Sequence, residues 1–165
     1  MAKGLHLGGG ETRDENCFNV DICPGESTDA VADLDHDFPF KDDCVPFIRI
    51  HHVLEHMKDR MHFLKEANRV LLPHGKMFVI VPHKSTSAAH HLDHLSYFSY
   101  KTLHQDGFDE QFVQRMAGKW RVNHSRLRLI AGKDRFIDKL INLFPGLYDL
   151  FFPCSEIVVE MEKVQ

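Results

Sequence analysis

From Phe47 to Pro82 the chain reads FIRIHHVLEHMKDRMHFLKEANRVLLPHGKMFVIVP, and the changing hydrophobic period along this stretch decides the fold. Phe47-Ile48-Arg49-Ile50 is mostly apolar, as a central strand is. From about Leu54 to Leu72 the period becomes helical. Met57, Met61, Leu64, Ala67 or Asn68, and Leu71 recur at three- and four-residue spacing, with Lys58, Asp59, Lys65 and Glu66 on other faces. Pro73-His74-Gly75 stops that helix, as Pro and Gly past a helix end commonly do. Lys76 to Pro82 is then a near-continuous apolar strand, the pattern of a strand in a parallel sheet buried on both faces. A strand–helix–strand unit of this kind predicts an α/β fold with a mainly parallel, twisted sheet and helices on both faces.

Upstream, Gly4-Leu5-His6-Leu7 reads as a short strand that runs into Gly8-Gly9-Gly10, where three glycines force a turn. Cys17 to Ile22 is a second strand closed by Pro24-Gly25, and Ala30 to Leu34 a third. An acidic loop from Asp35 to Asp43 carries Phe38-Pro39-Phe40. Downstream, Ser85 to Ser99 is polar, rich in histidine and poorly periodic, which predicts a loop at the carboxyl edge of the sheet. Helix is expected over Lys101 to Met116, a strand over Trp120 to Ile130, a short helix over Phe136 to Phe144, and a terminal strand over Glu156 to Met161.

The bulk properties narrow the class. A chain of 165 residues favours a single domain, here 1–165, and 43% hydrophobic with 27% charged residues suits a soluble globular protein. A formal charge of -4 gives no electrostatic reason to expect a nucleic-acid or acidic-membrane partner; Lys119 to Arg128 is the one basic stretch. No apolar run reaches the roughly 20 residues of a membrane span, and the start does not continue into a secretory apolar region. Cys17, Cys23, Cys44 and Cys154 are scattered without a C-x-x-C pair, so a reduced, cytoplasmic setting is expected.

Five pieces in order carry a family resemblance: Leu5-His6-Leu7-Gly8-Gly9-Gly10; Asn19-Val20-Asp21-Ile22; Ala32-Asp33-Leu34 followed by Phe38-Pro39-Phe40; His51-His52-Val53-Leu54-Glu55-His56-Met57; and Arg69-Val70-Leu71-Leu72-Pro73-His74-Gly75-Lys76. With them the chain resembles the class I S-adenosylmethionine-dependent methyltransferases, in a compact form with short first crossovers. The resemblance implies a three-layer Rossmann-like sandwich with seven strands in the order 3-2-1-4-5-7-6, the last one antiparallel. The cofactor half would be about 1–82, and the substrate-facing half about 83–165.

The resemblance also assigns a cofactor, S-adenosylmethionine, and a set of residues to hold it. A glycine turn at Gly8, Gly9 and Gly10 lets backbone groups approach the methionine part, since no Cβ intervenes. Asp21 would accept hydrogen bonds from the ribose hydroxyls, next to Ile22. Asp33 would accept from the adenine amino group, with Leu34 against the ring. His51 and His52 would lie near the transferred methyl. His74 stands where the family commonly has glycine, and Leu7 where an acidic residue is usual.

Other readings of the same residues compete. His52-Val53-Leu54-Glu55-His56 matches H-x-x-E-H, which in a zinc hydrolase sets two ligands one helical turn apart; no metal is expected, because no third ligand stands in a second helical motif. His83, His90, His91, Asp93 and His94 gather after the fifth strand, either as a substrate-facing lid, as a solvated loop, or as an adventitious divalent-ion site. Asp93-His94 followed by Tyr97 and Phe98 resembles a loop of the family's nearer members, which makes His94 the candidate catalytic base. A small-molecule acceptor is expected. Phe144, Tyr148, Phe151 and Phe152 suit a core or a subunit interface, so a homo-oligomer is left open. The alternative within the same fold is a non-catalytic binding protein.

Overall fold

The computed structural model describes residues 3–103, 119–134, 136–151 and 153–164. Seven strands form one sheet: β1 (Gly4–Leu7), β2 (Cys17–Asp21), β3 (Ala30–Val31), β4 (Val45–His51), β5 (Leu71–Pro82), β6 (Lys119–Arg128) and β7 (Glu156–Val164). Their order is β3-β2-β1-β4-β5-β7-β6. Neighbours from β3 to β5 pair in parallel, and β7 runs antiparallel to both β5 and β6. Both the order and the reversed last strand are those expected.

The helix α1 spans Arg60–Val70 and is shorter than the 54–72 expected. Asp59 caps it, its Oδ1 accepting the backbone N–H of His62 at 2.9 Å, which satisfies one of the orphan donors of a helix start. Residues 53 to 58 form a turn instead, because that conformation buries Val53, Leu54 and Glu55 together. At the other end Leu71 is already extended and pairs with Val45, so the chain enters β5 without a loop. The Pro73-His74-Gly75 segment is therefore an irregularity within a long strand and not a helix stop; His74 adopts φ +63° there.

The expected helix over 136–144 is two short ones, α2 (Phe136–Ile141) and α3 (Pro145–Phe151). Of the helix expected over 101–116, a 3-10 turn at Tyr100–Leu103 is seen, and the rest lies outside the described residues, as does Phe152. Phe144 is exposed, and only Tyr148 of that aromatic group packs against the core among the side chains described.

Strand periodicity sorts the side chains onto two faces. Ile48 and Ile50 of β4, Met77, Val79 and Val81 of β5, and Ile157 and Val159 of β7 are buried with Phe63, Leu64, Ala67 and Val70 of α1 in one continuous core. Burying a side chain such as Phe63 contributes about 1.5–3 kcal/mol. The alternate residues Phe47, Arg49, His51, Phe78, Ile80 and Val158 face the other way and are part-exposed. Residues 8–16 and 22–29 carry no helix between their parallel strands. Among the described residues that second face is left as a shallow groove.

The acidic loop before β4 is fastened by one carboxylate. Glu66, expected on a polar face of the helix, is 8% exposed. Its Oε2 accepts the Phe38 N–H at 2.7 Å, and Arg69 donates Nε to Oε1 at 2.8 Å and Nη2 to Oε2 at 2.6 Å. Arg69 in turn reaches the carbonyls of Phe38 and Phe40 and the carboxylate of Asp42. The two-pronged pair holds Phe38 edge-on against Phe63, ring centroids 5.3 Å apart.

Arg69 holds the Glu66 carboxyl below its usual range; burial opposes this, and the Phe38 N–H adds to it. A group whose folded pKa is depressed contributes stability that is present above its unfolded pKa and is lost as pH falls through the folded value. We predict that Glu66→Ala lowers stability by roughly 3 kcal/mol at neutral pH, the cost of losing the two bonds to Arg69 and leaving the Phe38 N–H without its partner. The difference from the parent should shrink as pH drops below the ordinary glutamate range, read by denaturant titration at stepped pH. His74→Gly should act in the opposite direction. Removing a Cβ from a left-handed residue should raise stability by about 1 kcal/mol, less a small loss of the exposed pair with Glu162 at 3.1 Å, seen as a higher urea midpoint with an unchanged slope.

Candidate functional site

The carboxyl ends of β1, β2, β3 and β4 meet at one edge of the sheet, where open α/β sheets bind ligands. Gly8 turns the chain there with φ +69° and donates its N–H to the Val20 carbonyl at 2.7 Å. A Cβ at Gly8 would lie 2.3 Å from Val53 Cγ2, so no other residue fits. Gly10, with φ +54°, has nothing within 4 Å of where its Cβ would be, and donates its N–H to Asp21 Oδ2 at 2.8 Å. Asp21 Oδ1 accepts from the Cys23 N–H at 3.0 Å. The carboxylate therefore sits fixed at the strand end with lone pairs to spare. Asp33 is set likewise by an Asx turn to the Asp35 N–H, 3.0 Å.

A cavity of about 310 Å³ opens between these ends, lined by Gly8, Asp21, Ile22, Asp33, Leu34, His52, Val53, His56 and Met57 among others. Six of the nine residues expected to hold the cofactor thus border it. Gly10 borders an adjoining depression that shares Asp21. Gly9 lines neither, its backbone crowded by the His6 ring. His51 borders the groove on the opposite sheet face. Ile22 is 64% exposed, an apolar side chain standing at the cavity wall beside two fixed carboxylates. An extended ligand with an apolar ring and hydroxyl or amino donors is the chemistry this lining suits.

The two adjacent histidines are in different electrostatic surroundings. His52 has φ +54° and donates its N–H to the Ile80 carbonyl at 2.9 Å. Its ring lies between two buried carboxylates, Nδ1 3.1 Å from Glu55 Oε1 and Nε2 3.2 Å from Glu156 Oε1. The Glu55 hydrogen bond, against the opposing effect of burial and with Glu156 adding to it, raises the His52 pKa. Burial and the neighbouring His52 lower that of His51, whose ring lies 4.6 Å from that of His52.

Both nitrogens of His52 are engaged, and residues 53–58 are a turn. His52 and His56 therefore do not stand one helical turn apart, and the H-x-x-E-H reading as a zinc hydrolase fails on geometry. Glu156 was not legible as a site residue; it accepts from His52, Arg128 Nη1 and the Gly132 N–H, and all of these are distant in sequence.

The histidine-rich loop is pinned at both ends. His83 is wholly buried, with Nε2 2.9 Å from Asp149 Oδ1 and Nδ1 2.7 Å from Ser85 Oγ. Asp149 also accepts from the Tyr100 N–H and Lys84 Nζ. Ser85 Oγ is additionally bonded to the N–H and carbonyl of Cys154, at 3.0 and 3.2 Å, so the Ser–His–Asp chain is a staple with its hydroxyl fully occupied. The Leu95 N–H bonds the Glu55 carbonyl at 2.8 Å and draws the loop back over the cavity rim. There His94 meets His56 edge to face, centroids 4.6 Å apart. His94 reaches the cavity wall only through His56. His90 and His91 are exposed.

Residues 7–79 match the family described as a methyltransferase domain. No curated protein matches the chain in sequence. Among solved structures, an S-adenosylmethionine-dependent methyltransferase from Archaeoglobus fulgidus superposes with a TM-score of 0.62 at 14% identity, covering 98% of this chain and 86% of its own. One from Mesorhizobium loti gives 0.59 at 15% identity, covering 98% and 90%. A chain from the complex between the Haloferax volcanii Trm112 methyltransferase activator and a methyltransferase gives 0.61 at 16%, covering 99% and 82%. At these identities the likeness speaks for the fold, and the matched segment is the one that carries the glycine turn, Asp21, Asp33 and His52. Residues 7–79 thus resemble a methyltransferase domain, and the fold is that of S-adenosylmethionine-dependent methyltransferases of known structure.

Proposed function

We propose that this protein transfers the methyl group of S-adenosylmethionine to a small-molecule acceptor presented beneath the loop that carries His94. One observation carries the reading: Asp21 and Asp33, with Ile22 and Leu34 between them, border a single cavity beyond a glycine turn. The lining fits the cofactor in kind. Asp21 offers acceptor lone pairs to the ribose hydroxyls and Asp33 to the adenine amino group. Ile22 and Leu34 offer apolar surface to the ring, and the open space at Gly10 leaves room for the amino-acid end.

When bound, the cofactor supplies a methyl group on a positively charged sulfur, which is a good leaving group. The residues of this chain then have to position the acceptor and keep water out, and positioning alone can lower such a barrier by several kcal/mol. His94 holds Nδ1 3.2 Å from the Ala89 carbonyl, which fixes that nitrogen as the donor and leaves Nε2 as the proton-accepting atom. His52 has no nitrogen to spare and acts by holding the edge of the cavity. The free thiols of Cys17, Cys23, Cys44 and Cys154 suit a reducing compartment such as the cytoplasm.

Calorimetric titration with S-adenosylmethionine and S-adenosylhomocysteine should give saturable micromolar binding, weakened at least tenfold by Asp21→Ala, since a hydrogen bond to a charged group is worth about 1.5–3 kcal/mol. Absence of binding at millimolar ligand would remove the enzyme reading and leave a binding protein of the same fold. With an acceptor in hand, His94→Ala should lower kcat by about 100-fold or more and leave cofactor affinity unchanged. An unchanged kcat would remove the base from His94.

A further inference from the structure

The carboxylate of Glu55 is wholly buried, yet only one of its oxygens is used. Oε1 receives the His52 ring; among the described residues no donor reaches Oε2. A buried carboxylate oxygen without a partner carries a desolvation cost of about 1–3 kcal/mol or more, and neither ring beside it is within hydrogen-bond distance. These rings are two imidazoles: one donor atom each from Glu55, His56 and His94 lies within 4.8 Å of the others.

Both rings are held in the tautomer that a metal site requires. His56 Nδ1 lies 3.3 Å from the Asp93 carbonyl, and His94 Nδ1 3.2 Å from the Ala89 carbonyl. A ring that donates Nδ1–H to a carbonyl presents the lone pair of Nε2, and this backbone anchoring is the usual support of a ligating histidine. His91, Asp93 and His94 form a second, more exposed group of ligand atoms beside it.

We infer that Glu55, His56 and His94 form a binding site for a borderline divalent transition ion of the zinc type. Two imidazoles and one carboxylate are a ligand set suited to Zn²⁺ or Co²⁺ and not to Mg²⁺ or Ca²⁺, which prefer all-oxygen shells. The ion would satisfy Glu55 Oε2, which no side chain does. It would also strengthen the join between the turn after β4 and the His94 loop, which the Leu95–Glu55 backbone bond and the His56–Asp93 contact already make. This differs from the H-x-x-E-H pattern in its ligands, since His52 takes no part. Where the reading of His94 as a base holds, the ion and the proton compete for the same Nε2 lone pair.

The test is titration of untagged protein with Co²⁺ alone, without methyl donor, followed by competition with Zn²⁺. One equivalent should give visible absorption of a low-coordinate nitrogen–oxygen site, displaced stoichiometrically by Zn²⁺. Glu55→Gln and His94→Ala should each weaken Co²⁺ binding at least tenfold, while His90→Ala, an exposed histidine of the same loop, leaves it unchanged. Should Glu55→Gln fail to fold by circular dichroism, His56→Ala replaces it. Binding that survives loss of Glu55 but falls with His90 or His91 would mean surface histidines only and would overturn the site, as would no stoichiometric uptake. Because the titration contains no methyl donor, its failure leaves the methyltransferase reading standing, and failure of cofactor binding leaves the ion site standing.

Discussion

The ring of His52 fastens together the carboxyl edge of the sheet from β4 to β7. It stands just past β4, its backbone bonded to β5, one nitrogen on Glu55 of the following turn and the other on Glu156 at the start of β7. Both carboxylates are buried, so each depends on the groups that bond it. Glu156 passes the constraint on to Arg128 at the end of β6 and to Gly132. The carboxyl edge of the sheet is thus a connected polar network with the His52 ring at its centre, and the cavity wall and the turn carrying His56 take their positions from it.

A second staple of the same chemical kind holds the other side of the site. His83 and Asp149 bring α3 against the loop after β5, and Tyr100 and Lys84 close around the same carboxylate. Between these two clusters the chain from residue 84 to 99 has little regular structure, yet its ends are fixed and its middle is bonded to Glu55 through Leu95. A loop anchored in this way can carry His94 over the cavity with only a 3-10 turn at Ser87–His90 of its own, in keeping with the rule that function rides on loops set by a rigid frame.

The frame was legible because it follows from periodicity. The apolar run 76–82 and the helical spacing before it fixed the sheet and its crossover, and the strand-end residues Gly8, Asp21, Asp33 and His52 followed once the strands were placed. What stayed hidden has a common cause. Glu66 reads as a residue of a polar helix face, and neither Glu55 nor Glu156 shows in the sequence that it is buried, since carboxylates are seldom fully buried unless paired. Their partners Phe38, His52 and Arg128 become neighbours only after folding. The start of α1 was misjudged because Leu54 and Met57 keep the helical period while lying in a turn. His51 and His52, adjacent in sequence, border different depressions although their rings are neighbours, an outcome that a resemblance between motifs does not decide.

The short links between β1, β2 and β3 also set the order in which contacts become affordable in entropy. Pairing Gly4 with Cys17 closes a much shorter loop than pairing Pro82 with Glu156, a difference of about 1.5 kcal/mol in closure entropy on a logarithmic length law. The glycine turn and Asp21 belong to the local, early-forming part. His52 finds Glu156 only when the most distant strand has docked. The ligand-holding edge and the network that braces it therefore belong to different stages of assembly, and a chain caught between them would have its glycine turn in place beside an unbraced wall.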